Sequence, residues 1–111
     1  MVWTRVKTAT KDITIEKLYP EVTDFKIVGT DKDSYVPGET MNITLSVTVS
    51  KATEWLLMHF VIYLDDVELG TSDDVSQFQG STAQYNVPVT LPSDISPGTH
   101  TLKAECWALY P

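Results

Sequence analysis

From position 41 to position 49 every odd residue is apolar (Met41, Ile43, Leu45, Val47, Val49), and every even one from 40 to 50 is Thr, Asn or Ser. A side-chain period of two sustained over this length belongs to a β-strand with one face buried and the other wet. The run that precedes it, Tyr35-Val-Pro-Gly-Glu-Thr, predicts a turn. Proline presets φ at the second turn position, and glycine takes the positive φ that the third requires. One turn and one strand of this clarity commit the chain to an antiparallel, all-β core.

The remaining segments agree. Phe25 and Ile27 mark a strand around 22–28, closed by the turn-rich loop Gly29-Thr-Asp-Lys-Asp-Ser. Residues 55–64 form a strand with Met58, Phe60, Ile62 and Leu64 on one face and Leu57, His59, Val61 and Tyr63 on the other. Asp65-Asp66 then predicts a tight hairpin into Val67-Glu-Leu-Gly-Thr, because aspartate tolerates the left-handed backbone better than most residues. Strands follow around 75–78, over 83–89 and from His100 to Cys106; Pro88 marks the 83–89 segment as an edge strand or a bulged one. Seven or so short strands, spaced by turn signals every 8–12 residues, read as an antiparallel β-sandwich.

Before that sandwich, residues 1–20 read as an extended arm with short alternating pieces at Val2-Thr4-Val6 and Ile13-Ile15, ending at Tyr19-Pro20; residues 21–111 form the domain. The chain carries a net charge of −7, which opposes binding to nucleic acid or to an anionic membrane. Residues 1–17 hold Arg5, Lys7, Lys11 and Lys17 against Asp12 and Glu16, a local +2 that leaves −9 on the rest. A basic arm ahead of an acidic body favours docking of the arm on its own or a neighbouring chain. Thr4, Arg5, Lys7, Thr8 and Thr10 interrupt any hydrophobic run at the start, so no secretory signal is expected there. The longest apolar stretch, 55–64, is half of what a membrane helix needs.

Tyr35-Val-Pro-Gly-Glu-Thr, the hairpin Ile62-Tyr-Leu-Asp-Asp-Val-Glu-Leu-Gly-Thr and Pro97-Gly-Thr-His-Thr-Leu-Lys-Ala together resemble the cell-adhesion-related immunoglobulin-like modules of bacterial and archaeal surface proteins. The resemblance spans about residues 22–106 and implies an immunoglobulin-like sandwich. Asp66 stands where such hairpins commonly carry glycine, and His100 where tyrosine is common. Those modules usually sit in long exported chains. Immunoglobulin-like domains also serve as accessory proteins of tailed-virus heads and tails, a setting that needs no signal peptide.

Few residues suit chemistry. His59 lies within a central strand and His100 starts the last one in phase with Leu102; neither has a nucleophile motif beside it. Cys106, the lone cysteine, shares the phase of Leu102 and Ala104 and reads as a small buried hydrophobe. Acidic loops at Asp31 and Asp33 and at Asp65, Asp66, Glu68, Asp73 and Asp74 lack the closing glutamate of a calcium loop and read as a solvated rim. Asn42-Ile43-Thr44 fits a glycosylation sequon, but on a strand. No cofactor or metal is expected, and no enzymatic activity.

What stands out is apolar surface where solvent belongs. Leu57, Val61 and Tyr63 face away from the core, Trp107 is out of phase with Cys106, and Trp3 sits in an arm with no core of its own. These five are the candidate interaction surface, to be covered by the folded-back arm or by protein partners: copies of the chain or a larger structural protein. The expectation is a homo-oligomer or assembly component of a virion or cell surface. The alternative is an adhesion or carbohydrate-binding module that stacks sugars on Trp55, Trp107 or Tyr110.

Overall fold

The computed structural model describes residues 1–15, 20–50, 55–78 and 80–109, and within them the chain is all-β. Seven strands form: β1 (Val22–Thr30), β2 (Thr40–Val49), β3 (Leu56–Leu64), β4 (Val67–Thr71), β5 (Val75–Gln77), β6 (Thr82–Thr90) and β7 (Leu102–Leu109). One antiparallel sheet has the order β1-β2-β6. The other is built on β3, which pairs with β7 along its length from Leu57 to Leu64. The opposite side of β3 is shared by β4 at Val61–Leu64 and β5 at Leu56–Met58.

The two sheets close over one core. The odd residues of β2 meet Leu56, Met58, Phe60 and Ile62 of β3 together with Val87, Val89 and Leu91. Phe60 lies at its centre, stacked on Phe25 of β1 with centroids 5.8 Å apart and in tilted contact with Tyr85 of β6 at 5.2 Å. Burying a side chain of this size stabilises by about 1.5–3 kcal/mol. Gln77, only 2% exposed, ties the sheets with polar bonds: its Nε2 donates to the carbonyls of Val47 (2.9 Å) and Ser81 (3.0 Å), and its Oε1 accepts from the Tyr85 hydroxyl (3.0 Å).

The turns follow their residues. Gly38 has φ of 83° and Glu39 N–H donates to the Val36 carbonyl at 3.2 Å, closing the turn into β2. Asp65 and Asp66 take φ of 49° and 65°, so both residues of the β3–β4 hairpin are left-handed and the turn is of the primed kind that matches strand twist. Pro88 lies on β6, an edge of its sheet, as proline in a ladder demands.

Four expectations need correction. Ser46 is buried, not solvent-facing, because β2 is central and the short serine lies between Lys26 of β1 and Gln84 of β6 in register. The last strand starts at Leu102 and runs on to Leu109, since His100 is held in the preceding loop by Asp65 and by the Ser96 carbonyl. Cys106 is half-buried; its Sγ lies 3.8 Å from Met58 Sδ, and burial pushes the thiol up. The arm forms no strand at its alternating pieces Val2-Thr4-Val6 and Ile13-Ile15: residues 1–15 are exposed throughout and, among the described residues, pair with no strand. An isolated extended segment has no ladder to satisfy its backbone, so its strand propensity goes unused. The arm projects instead of folding back, giving a radius of gyration of 23.2 Å, where a compact chain of this length would have about 13 Å.

Candidate interaction surface

The residues of β3 and β7 that point away from the core lie opposite one another: Leu57 with Leu109, His59 with Trp107, Val61 with Glu105 and Tyr63 with Lys103. His59 and Trp107 stack with centroids 6.4 Å apart and planes 5° from parallel. The Lys103 ammonium sits 4.6 Å from the Tyr63 ring centroid. Glu105 takes hydrogen bonds from Tyr63 and from Trp107 Nε1, the latter at 3.3 Å, and holds the Tyr63 hydroxyl above the usual phenol range. At the lower end Trp55 meets Phe78 edge to face at 5.0 Å. An apolar strip therefore runs down this face through Trp107, Leu57 and Leu109 to Trp55 and Phe78.

The five sequence-chosen residues divide. Trp107 is 55% exposed and Leu57 37%, and both belong to the strip. Tyr63 is half-buried under Lys103. Val61 is 7% exposed and offers no surface: it sits mid-strand, with Thr71 and Glu105 in register on either side and His59 and Tyr63 two residues away. Trp3 is 102% exposed on the arm, hidden by nothing and apart from the other four. Leu109 and Phe78 belong to the strip and were missed; Leu109 was legible, being in phase with Trp107. Tyr110 lies outside the described residues.

The edge of β7 carries a second feature. Asp65 N–H donates to the Thr101 carbonyl at 2.9 Å, and Ser72 N–H to the Phe60 carbonyl at 2.8 Å on the other side of β3. Backbone groups alternate along a strand, so Lys103, Glu105, Trp107 and Leu109 bond to β3. Leu102, Ala104, Cys106 and Ala108 turn their N–H and C=O groups to the outer edge, where among the described residues no strand pairs with them. Their side chains point inward yet are only half-buried, whereas Leu56, Met58, Phe60 and Ile62 of β3 are fully buried. The core is open along β7.

The polar clusters hold loops. Asp31 accepts from the Tyr35 hydroxyl (2.5 Å) and from Asn42 N–H (3.1 Å), which hold its carboxyl below the usual range; Lys32 pairs with Glu39. His100 Nδ1 is 2.5 Å from Asp65 Oδ2 and its Nε2 is 2.7 Å from the Ser96 carbonyl. A cleft of about 690 Å³ opens beside these loops, lined by Tyr35, Pro37, Ile95, Pro97 and His100 among others, but both ring nitrogens of its histidine are committed. His59 Nδ1 is 3.8 Å from Asp74 Oδ1. Among the described residues no hydrogen bond joins either histidine to a hydroxyl or thiol side chain, and no cluster of three or more His, Cys, Asp or Glu is placed to hold a metal. Asn42 is half-buried on β2, its amide 3.4 Å from Asp31 Oδ2. No helix among the described residues is long and apolar enough to cross a membrane.

No family model, curated protein or solved structure matches the chain, so its resemblance to surface-protein modules rests on the Tyr35, Ile62 and Pro97 segments alone.

Proposed function

We propose that this protein is a non-enzymatic, immunoglobulin-like structural module that works by docking with other protein chains, copies of itself or a larger structural protein, in a virion or at a cell surface. The order β1-β2-β6 against β4-β3-β7 matches strands A, B and E facing C′, C and F of that architecture. The observation that carries the proposal is the arm. Fifteen consecutive residues, including Trp3, Val6, Ile13 and Ile15, are exposed in the single chain. Apolar side chains held out on an extended segment gain nothing until a partner covers them. The apolar strip on the β3–β7 face supports the same reading from the body.

Light scattering on the full chain and on a chain lacking residues 1–20 tests this. The expected result is a multimer from the first and a folded monomer from the second, with the sandwich's β-sheet signal unchanged. A full chain that stays monomeric at high concentration sinks the proposal for self-assembly.

The pairs Trp55–Phe78 and His59–Trp107 favour a second reading, a carbohydrate-binding face, because flat sheet surfaces bearing aromatic rings suit stacking on sugars. Glycan-array binding by monomeric protein, lost in Trp107→Ala, supports that reading; no binding on the array ends it.

A further inference from the structure

Resting on the assembly reading above, we propose that residues 2–8 of one copy add as an antiparallel strand to the open edge of β7 in a second copy, closing that copy's core. Exposed sheet edges invite pairing, and proteins blunt them with prolines, bulges or short strands. Three of the four edges here are blunted. β1 has register shifts at Val22/Asp24 and Ile27/Gly29, β6 carries Pro88, and the edge shared by β4 and β5 is split into strands of five and three residues. β7 offers eight residues with no proline and no shift. In the immunoglobulin arrangement strand G lies beside F, and among the described residues that place beside β7 holds no strand.

The core says the same from inside. The inward row Leu102, Ala104, Cys106 and Ala108 is half-exposed, as are Phe25 and Ile27 of the facing β1 edge, so an added strand with apolar inward side chains would cover them. On the β6 side the inward Val87 and Val89 are already buried, and only Ala83 and Tyr85 remain half-buried, whereas no member of the β7 row is fully buried.

The arm fits as the added strand. Residues 1–15 contain no glycine or proline and are rich in Val, Ile, Trp and Thr, which suit a strand. Over residues 2–8, Val2, Thr4, Val6 and Thr8 share one face, and Trp3, Arg5 and Lys7 the other. One antiparallel register lays Val2 and Val6 over Ala108 and Ala104 while setting Arg5 opposite Glu105 and Trp3 opposite Trp107. It also brings Lys7 beside Lys103, whose charge already has Asp66 Oδ1 at 3.3 Å. The arm's +2 meets a body of −9, so long-range attraction favours the encounter. Donor arm and acceptor edge are different surfaces, which makes the contact head-to-tail, and repetition yields a filament or a closed ring.

Disulfide trapping in the full chain tests the proposal. In a Cys106→Ala background, Arg5→Cys is combined in turn with Lys103→Cys, Glu105→Cys and Trp107→Cys, and each protein is oxidised gently. Residues 5 and 105 would form a non-hydrogen-bonded pair with Cα atoms about 4.5 Å apart, inside the disulfide range. The expected result is a ladder of linked dimers and higher multimers on a non-reducing gel, strongest with Glu105→Cys and weakened when Val6→Asp is added. Linkage confined to single chains overturns the proposal by placing the arm on its own edge. No linkage in a protein whose Cys106→Ala parent is multimeric overturns it too, while leaving assembly through other surfaces standing. No linkage and a monomeric parent overturn both.

Discussion

His100 and Asp65 close the top of the sandwich, with His100 Nδ1 2.5 Å from Asp65 Oδ2 and Thr101 N–H donating to Asp65 Oδ1 at 2.8 Å. The carboxylate and the Ser96 carbonyl raise His100 above its ordinary 6.5, while the histidine and the Thr101 amide lower Asp65 below 3.8. The histidine's contribution is fully present below pH 6.5 and is lost as pH rises through the elevated folded value; the aspartate's is present above pH 3.8 and is lost as pH falls through the depressed one. The clasp therefore stabilises most between those two ordinary values. Melting temperatures of the native chain and His100→Gln, measured from pH 3 to pH 9, should differ most inside that window and converge on its alkaline side. A difference independent of pH would show that the pair does not titrate as a unit.

Gln77 is the polar tie between the sheets, and its removal should be felt. Gln77→Leu keeps the bulk but removes three hydrogen bonds: the Tyr85 hydroxyl loses its acceptor, and the Val47 and Ser81 carbonyls each lose a donor, the Ser81 carbonyl keeping the Val49 N–H at 2.9 Å. Leaving buried polar groups unpaired costs about 1–3 kcal/mol. Tyr85→Phe removes one of those bonds and leaves a single buried group, Gln77 Oε1, unpaired, for a cost at the lower end of about 1–3 kcal/mol. Urea unfolding should rank the native chain first, Tyr85→Phe second and Gln77→Leu last.

The fold was legible because its signals are local. Strand period, the Pro37-Gly38 turn and the Asp65-Asp66 hairpin are each decided within a few residues of chain, and Pro88 even marked an edge. Burial at Ser46 and Val61 was not legible, since it depends on which strands lie alongside and how long their side chains are. The arm shows the same limit from the other direction. Val2-Thr4-Val6 carries a strand's alternation, but a strand exists only where a second one supplies its hydrogen bonds, and no pattern within residues 1–15 states where that partner is. Trp107 and Leu57 were found by phase alone; the open edge of β7 was not, because pairing is a property of neighbours.

Asp66 carries a conformational cost at φ of 65° that glycine would not. Left-handed backbone costs L-residues about 1–2 kcal/mol, less for aspartate, and glycine offsets part of the gain with its freer unfolded state. Asp66→Gly also gives up the exposed contact to Lys103 Nζ at 3.3 Å, which contributes little. Thermal unfolding of Asp66→Gly should show a net gain of up to about 1 kcal/mol. A loss would mean that the Asp66–Lys103 contact outweighs the backbone.

Salt should act on assembly and spare the fold. The attraction between an arm of +2 and a body of −9 runs through the exposed charges Arg5 and Lys7 and the half-buried Glu105, whereas the core around Phe60 is apolar and the Gln77 bonds are buried. Between 0.05 M and 0.5 M salt the screening length falls from more than 10 Å to about 4 Å, enough to remove attraction at a distance but not dispersion at contact. Sedimentation of the native chain across that range should show a shift towards monomer, with the melting temperature of the sandwich almost unchanged. Arg5→Glu should give the monomer even at low salt. If high salt instead drives association, the apolar strip of Trp107, Leu57 and Leu109 is the dominant contact and the charged arm is secondary.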